Sequence, residues 1–177
     1  MSTLSAPEDA TLVARARRGS REAAGELFSR HWLSAWRAAL ALTGSQELAE
    51  DVVQDAFERA FRALERFEVG SFAAWLHRIV VNRALDVVRA ERPSLGLEAA
   101  GGLAARTEHG RLADADFLAA VACLDPERRV VVVLRYGLDY TLAQIAEFLD
   151  MPLGTVQSRL HRALAELRTQ LEVHDGD

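Results

Sequence analysis

The stretch 93–113, PSLGLEAAGGLAARTEHGRLA, limits what this chain can fold into more than any other feature. It holds Pro93 and four of the chain's eleven glycines, with no sustained apolar period. A connection of that length is long for the interior of one compact domain. On both sides the apolar residues return to helical spacing. Residues 10–92 read as almost continuous helix, broken at RRGS (17–20), LTGSQ (42–46) and FEVGS (67–71). From Asp114 to about Val173 the pattern resumes. The expected fold is all-α, two small helical domains at 10–92 and 116–173 joined by a flexible linker at 93–115.

One run resists this reading. VVVVL at 130–134 is apolar enough for a buried strand. No second strand exists for it to pair with, and LDPERR before it supplies an Asp-Pro helix start with acid in the first turn. The run is expected to be a fully buried helix.

Farther on, TLAQIAEFLDMPLGTVQSRLHRAL (141–164) divides into two short helices. Thr141 and Gln144 fit a capping box, and Ile145 and Leu149 share one face of the helix that follows. DMP breaks that helix, and Pro152 suits the first turn of the next. There Val156, Leu160, Leu164 and Leu167 fall at the buried spacing, while Ser158, His161, Arg162 and Ala165 point the other way. Gln157 and Arg168 flank that outer face on one side and Arg159 on the other. This is a helix-turn-helix pattern, whose second helix carries side chains able to reach base edges or phosphates. An ordinary helical hairpin with a solvated face has the same pattern.

Such a segment sits oddly in a chain with 26 acidic and 21 basic residues, all of the latter arginine. The acid is concentrated elsewhere. Between 45 and 70, seven acids face three arginines, and Asp51, Gln54, Asp55, Glu58 and Glu65 lie opposite the apolar side made by Val53, Phe57, Ala60, Phe61 and Leu64. That stripe is either a solvated face or a docking surface for a basic protein, since DNA is repelled there. Residues 72–92 behave differently, with four arginines against two acids. Leu76, Val80, Ala84, Val87 and Val88 form the apolar stripe. Trp75, Ile79, Asn82 and Asp86 project away from it, flanked by Arg78, Arg83 and Arg89. Aromatic and guanidinium groups mixed in this way bind unpaired nucleic acid by stacking and phosphate contacts. Trp75 has a second reading, packed under the RFEVGS loop.

Other function classes find little support. The single cysteine, Cys123, rules out an internal disulfide and a cysteine-rich metal site, and FLAAVACL reads as its apolar burial place. The five histidines are scattered without metal-ligand spacing, and neither a phosphate loop nor a nucleophile–base pair is present, so no enzyme activity is expected. MSTLSAPEDA lacks the order of a signal peptide and no apolar run approaches a bilayer span, which implies a cytoplasmic protein without membrane insertion.

The motifs AEDVVQDAFERAF, FAAWLHRIVVNRALDVVR, LDPERRVVVVLRYGLDYTLAQIAEFL and PLGTVQSRLHRALAELR, in this order and spacing, resemble bacterial RNA polymerase sigma factors of the extracytoplasmic-function (ECF) type, within the sigma-70 family. The resemblance covers about residues 10–92 and 116–170. It implies a transcription initiation factor that binds core RNA polymerase and directs it to promoters through −10 and −35 contacts. On this resemblance 10–92 is region 2 and 116–173 is region 4.

Residue by residue, Asp51, Gln54, Asp55 and Glu58 fall where the family docks on the β′ clamp helices. Phe72, Trp75, Arg78, Asn82, Arg83 and Arg89 fall at the −10 motif, with FEVGS as the base-capturing loop. Thr155, Gln157, Ser158, Arg159, His161 and Arg162 fall at the −35-reading positions. The family often has a basic residue at 157, where Gln157 gives up a phosphate or guanine contact. The second domain's other surface is expected to touch the β flap. Anti-sigma factors are common partners, though not universal, and no cofactor or metal is implied. The alternative is a stand-alone helix-turn-helix regulator that binds duplex without polymerase. It leaves the Trp75–Arg89 stripe unexplained.

Overall fold

The computed structural model describes residues 6–68, 70–91 and 115–174. The linker expected at 93–115 lies outside them apart from Ala115. The described residues are helices, turns and short connections, with no strand among them. None of the described helices is long and apolar enough to cross a membrane.

Local chemistry sets the boundaries in the first half. α1 (Ala6–Arg17) ends at the RRGS break. Ser20 caps α2 (Arg21–Thr43), its Oγ accepting from the Ala23 N–H at 3.3 Å. α2 stops at Gly44, whose φ of 72° returns its N–H to the Leu40 carbonyl at 2.8 Å. A Cβ would strain that left-handed geometry. Ser45 then caps α3 (Gln46–Arg62) through the Leu48 N–H. A single 3-10 turn, Leu64–Arg66, leads to the loop before α4 (Phe72–Glu91).

The second half repeats the logic. After α5 (Ala115–Ala122), the Asp125 carboxylate accepts from the Glu127 and Arg128 N–H groups at 3.0 and 3.2 Å and starts α6 (Pro126–Val132) at its proline. Thr141 and Gln144 exchange both bonds of a capping box at the start of α7 (Leu142–Phe148). α8 (Leu153–His174) follows a turn in which Asp150 adopts φ 51°.

Packing explains why these helices stay together. α2 lies against α1, α3 and α4. Its buried Ala35, Ala38, Ala39 and Ala41 allow close approach, while Leu27, Phe57, Leu76 and Val80 fill the space between helices. Each fully buried side chain of that size contributes about 1.5–3 kcal/mol of transfer free energy. The VVVVL run is helical, as its missing partner strand implies. Val130 to Leu134 are all 2 % exposed or less, and the helix passes into a π turn at Val133–Gly137. Burial on every side is possible because α6 packs on α8 and also on α2 and α4 of the first half.

Three expectations need correction. Cys123 is exposed, because α5 ends at Ala122 and leaves it on the turn. Pro152 precedes α8, its carbonyl accepting from the Thr155 and Val156 N–H groups at 2.9 and 3.2 Å. The buried stripe of α8 runs through Val156, Leu160 and Ala163, so Leu164 and Leu167 are only partly covered.

Candidate polymerase and nucleic-acid interfaces

α3 presents Asp51, Gln54 and Glu58 to solvent, on the face opposite its buried Val53, Phe57 and Ala60. Glu58 meets Arg62 at 3.4 Å, an exposed pair of little energetic weight. Asp55 differs from its neighbours. Its carboxylate accepts a hydrogen bond from Arg59 Nε at 2.9 Å and forms an ion pair with Arg83 of α4, Nε lying 2.7 Å from Oδ2. The hydrogen bond from Arg59, with the charges of Arg59 and Arg83 behind it, holds this carboxyl below its ordinary range despite partial burial. Asp55 therefore braces α3 against α4, while Asp51, Gln54 and Glu58 remain outward. On the other side of α3, Phe28 is 37 % exposed and its ring lies tilted against Trp32 and Phe57 at centroid distances of 4.9 and 4.7 Å.

The six residues nominated on α4 do not share one environment. Phe72 is 1 % exposed, packed against His31, Phe67 and Trp75, so in this structure it stands in the core and presents no exposed face. The loop folds back over the start of α4 and buries it. Trp75 is half-buried, its ring 5.1 Å from Phe67 and 5.9 Å from Phe72. One part packs under the loop, and the rest borders a cavity of about 510 Å³ lined by Arg66, Gly70, Ser71 and Arg78 on one side and by Tyr140, Gln144, Glu147 and Phe148 of the second half on the other. Asn82 and Arg89 point outward. Arg83 is engaged with Asp55. Arg78 donates to the Glu147 carbonyl at 2.7 Å and the Phe148 carbonyl at 3.0 Å, and its guanidinium lies 5.5 Å from the Phe148 ring centroid.

Two residues absent from the nominations shape this region. Arg17 of α1 donates from Nε to the Leu64 carbonyl at 2.9 Å and from Nη2 to the Phe67 carbonyl, tying down the loop's entry. Ser71 caps α4, its Oγ accepting from the Ala74 N–H at 3.3 Å. A serine ahead of an apolar helical run is a recognisable start signal and could have been read. Arg17 carried no signal, because both its acceptors are backbone atoms.

On α8, Gln157, Ser158, His161 and Arg162 stand exposed, and Thr155 is partly covered. Val156, Leu160 and Ala163 fix the helix from beneath. Arg159 turns aside: it pairs with Glu127 of α6 at 2.7 Å and lies 3.9 Å from Met151 Sδ. Arg128 bridges Asp125 and Glu166 at 3.0 and 2.5 Å, fastening α6 to α8.

A helical bundle with the partly exposed Trp75 beside its loop, followed by a helix-turn-helix with an open polar face, defines a two-module nucleic-acid-binding class. Residues 27–93 match the Sigma-70 region 2 family model, and residues 114–167 match that of Sigma-70, region 4. The chain is 37 % identical over 162 residues to the ECF RNA polymerase sigma factor SigM of Mycobacterium tuberculosis, covering 90 % of this chain and 82 % of that protein. It is 37 % identical over 164 residues to the ECF RNA polymerase sigma factor SigE of Mycolicibacterium smegmatis, covering 86 % of this chain but 63 % of SigE. Among solved structures, CnrH in complex with the cytosolic domain of CnrY superposes with a TM-score of 0.70 at 30 % identity, covering 93 % of this chain and 97 % of that one. The chain belongs to the ECF sigma factors of the sigma-70 family.

Proposed function

We propose that this chain binds core RNA polymerase and directs it to promoters, reading a −35 element through α8 and capturing a −10 element between α4 and the 67–71 loop. One observation carries the reading. A helix-turn-helix with Gln157, Ser158, His161 and Arg162 exposed shares a chain with another helical module in which the partly exposed Trp75 stands beside the 67–71 loop and Arg78.

On this reading Asp51, Gln54 and Glu58 meet the basic β′ clamp helices, and a surface of the second module away from α8's polar face meets the β flap. A base leaving the duplex costs a few kcal/mol, offset by stacking at Trp75. Asn82 and Arg89 follow the strand beside it. The chemistry of RNA synthesis stays with the polymerase, so the chain is not an enzyme and acts where polymerase is, in the cytoplasm. CnrH was solved with a bound CnrY domain. An inhibitor of that kind, an anti-sigma factor, is the further partner expected here.

In vitro transcription with core polymerase, this protein and a promoter library tests the proposal. Run-off products that depend on the protein and share two spaced elements are expected. Specific duplex binding by the protein alone, with no effect on polymerase, would instead support the stand-alone regulator.

A further inference from the structure

We propose that the turn joining α1 to α2 is a further DNA-contacting surface of the first module, where Arg18 and Arg21, with Arg66 of the 3-10 turn, hold backbone phosphates of the single strand beside the captured base. The inference rests on the assignment of α4 and the 67–71 loop to the −10 element. It extends that assignment to residues ahead of the region 2 match, which begins at residue 27.

RARRGSR (15–21) carries four arginines and no acid, within a chain of net charge −5. Two of the four are engaged in the fold. Arg15 pairs with Glu22 across the turn at 2.8 Å, and Arg17 reaches the Leu64 and Phe67 carbonyls. Arg18 and Arg21 are exposed, and their side chains make no ion pair or hydrogen bond among the described residues. Arg66 is in the same condition, and it lines the cavity beside Trp75. By contrast, Arg30 meets Glu8 at 3.0 Å, Arg59 meets Asp55 at 2.9 Å and Arg62 meets Glu58 at 3.4 Å.

Helix electrostatics do not account for Arg21. It is the first residue of α2, where the positive end of the helix dipole disfavours a cation. Glu22, the acid of that first turn, is already taken by Arg15. An anion from outside the chain answers the unbalanced charge, and the fold says where it comes from. α1 packs on the 3-10 turn, and the two bonds of Arg17 fasten its end to the backbone on which the base-capturing loop begins. The unpaired guanidinium groups are thereby carried next to that loop. Gly19, at φ 89°, has open space where a Cβ would stand, so a strand meets no side chain at the crest of the turn. DNA held at Trp75 is unpaired, and its phosphates are the anions nearest to this surface.

The test uses holoenzyme and a fluorescent non-template oligonucleotide spanning the −10 element of a promoter that the holoenzyme selects. Arg18→Gln and Arg21→Gln, singly and together, change only exposed positions, and Arg66→Gln is the third variant. The slope of log affinity against log salt is expected to fall by about 0.7 for each arginine removed. Replacing single linkages of the strand by uncharged methylphosphonate locates the contacts. In wild type, neutral linkages adjoining the captured base should weaken binding, and in the Arg18→Gln/Arg21→Gln variant the same linkages should no longer matter. An unchanged salt slope with an unchanged linkage profile would overturn the surface. Weaker binding of core polymerase with the wild-type linkage profile would also overturn it, assigning these arginines to a protein partner. Trp75→Ala separates this inference from the reading beneath it. If that variant captures the strand as wild type does, the −10 assignment falls, while the linkage profile still decides whether Arg18 and Arg21 touch DNA.

Discussion

Asp55 Oδ2 lies 2.7 Å from Arg83 Nε, joining the acidic helix α3 to the arginine-bearing helix α4. The two residues were nominated for opposite partners, one for polymerase and one for DNA, and in the free protein they hold each other. Their side chains are 31 % and 38 % exposed, so the pair contributes under about 1 kcal/mol. Urea unfolding of Asp55→Asn, Arg83→Gln and the double variant should return a coupling energy no larger than that. The Asp55 carboxyl is held below its ordinary range, so its contribution is present above the unfolded-state pKa and lost as pH falls through the folded one.

Because Asp55 braces the fold, the cleaner test of the docking face lies beside it. Asp51→Arg and Glu58→Arg change only exposed positions and should leave the melting temperature within about 2 °C of wild type. Affinity for core polymerase should fall and lose part of its salt dependence. Wild-type affinity measured by fluorescence titration across ionic strengths would remove α3 as the docking surface.

The arginines of α8 should separate by phenotype. Arg162 is exposed on the reading face, and Arg162→Ala is expected to cost about 1–3 kcal/mol of promoter use and to relax preference at one base. Arg159 is occupied by Glu127. Arg159→Ala should weaken all −35 variants alike through a loosened α6–α8 contact. Transcription across a −35 substitution series distinguishes the two.

His77 makes stability depend on pH. Burial, with the charge of His31 adding to it, lowers its pKa from 6.5 to about 4. Between these values the unfolded chain binds more protons than the folded one, so stability rises with pH through the window and is lost as pH falls from about 6.5 toward 4. The full effect is about 3 kcal/mol. Thermal melts from pH 7 to 4 should show this slope in wild type and a shallower one in His77→Gln.

How far the sequence carried depended on the range of each interaction. The Asp125 start and the Thr141–Gln144 box were legible because a cap bonds within three residues of itself. Val130–Leu134 was legible as helix by elimination. The burial of Phe72 was not legible, because the pattern within α4 alone cannot show the loop residue Phe67 that packs over it. Cys123 is exposed although FLAAVACL is apolar, because composition does not mark where α5 ends. The bonds from Arg78 to the Glu147 carbonyl and from Arg129 to the Leu42 carbonyl were out of reach for a different reason: their acceptors are peptide carbonyls, which every residue possesses and no residue type announces.

The grip of Arg17 on the Leu64 and Phe67 carbonyls carries a practical consequence. The region 2 match begins at residue 27, so a fragment cut at that boundary keeps every nominated DNA contact but discards the side chain that anchors their loop. It also loses Asp9, whose buried carboxylate meets His31 Nε2 at 2.8 Å, next to Phe72. Recognisable ancestry and the physical part that opens a promoter thus have different edges, and α1 belongs inside the second.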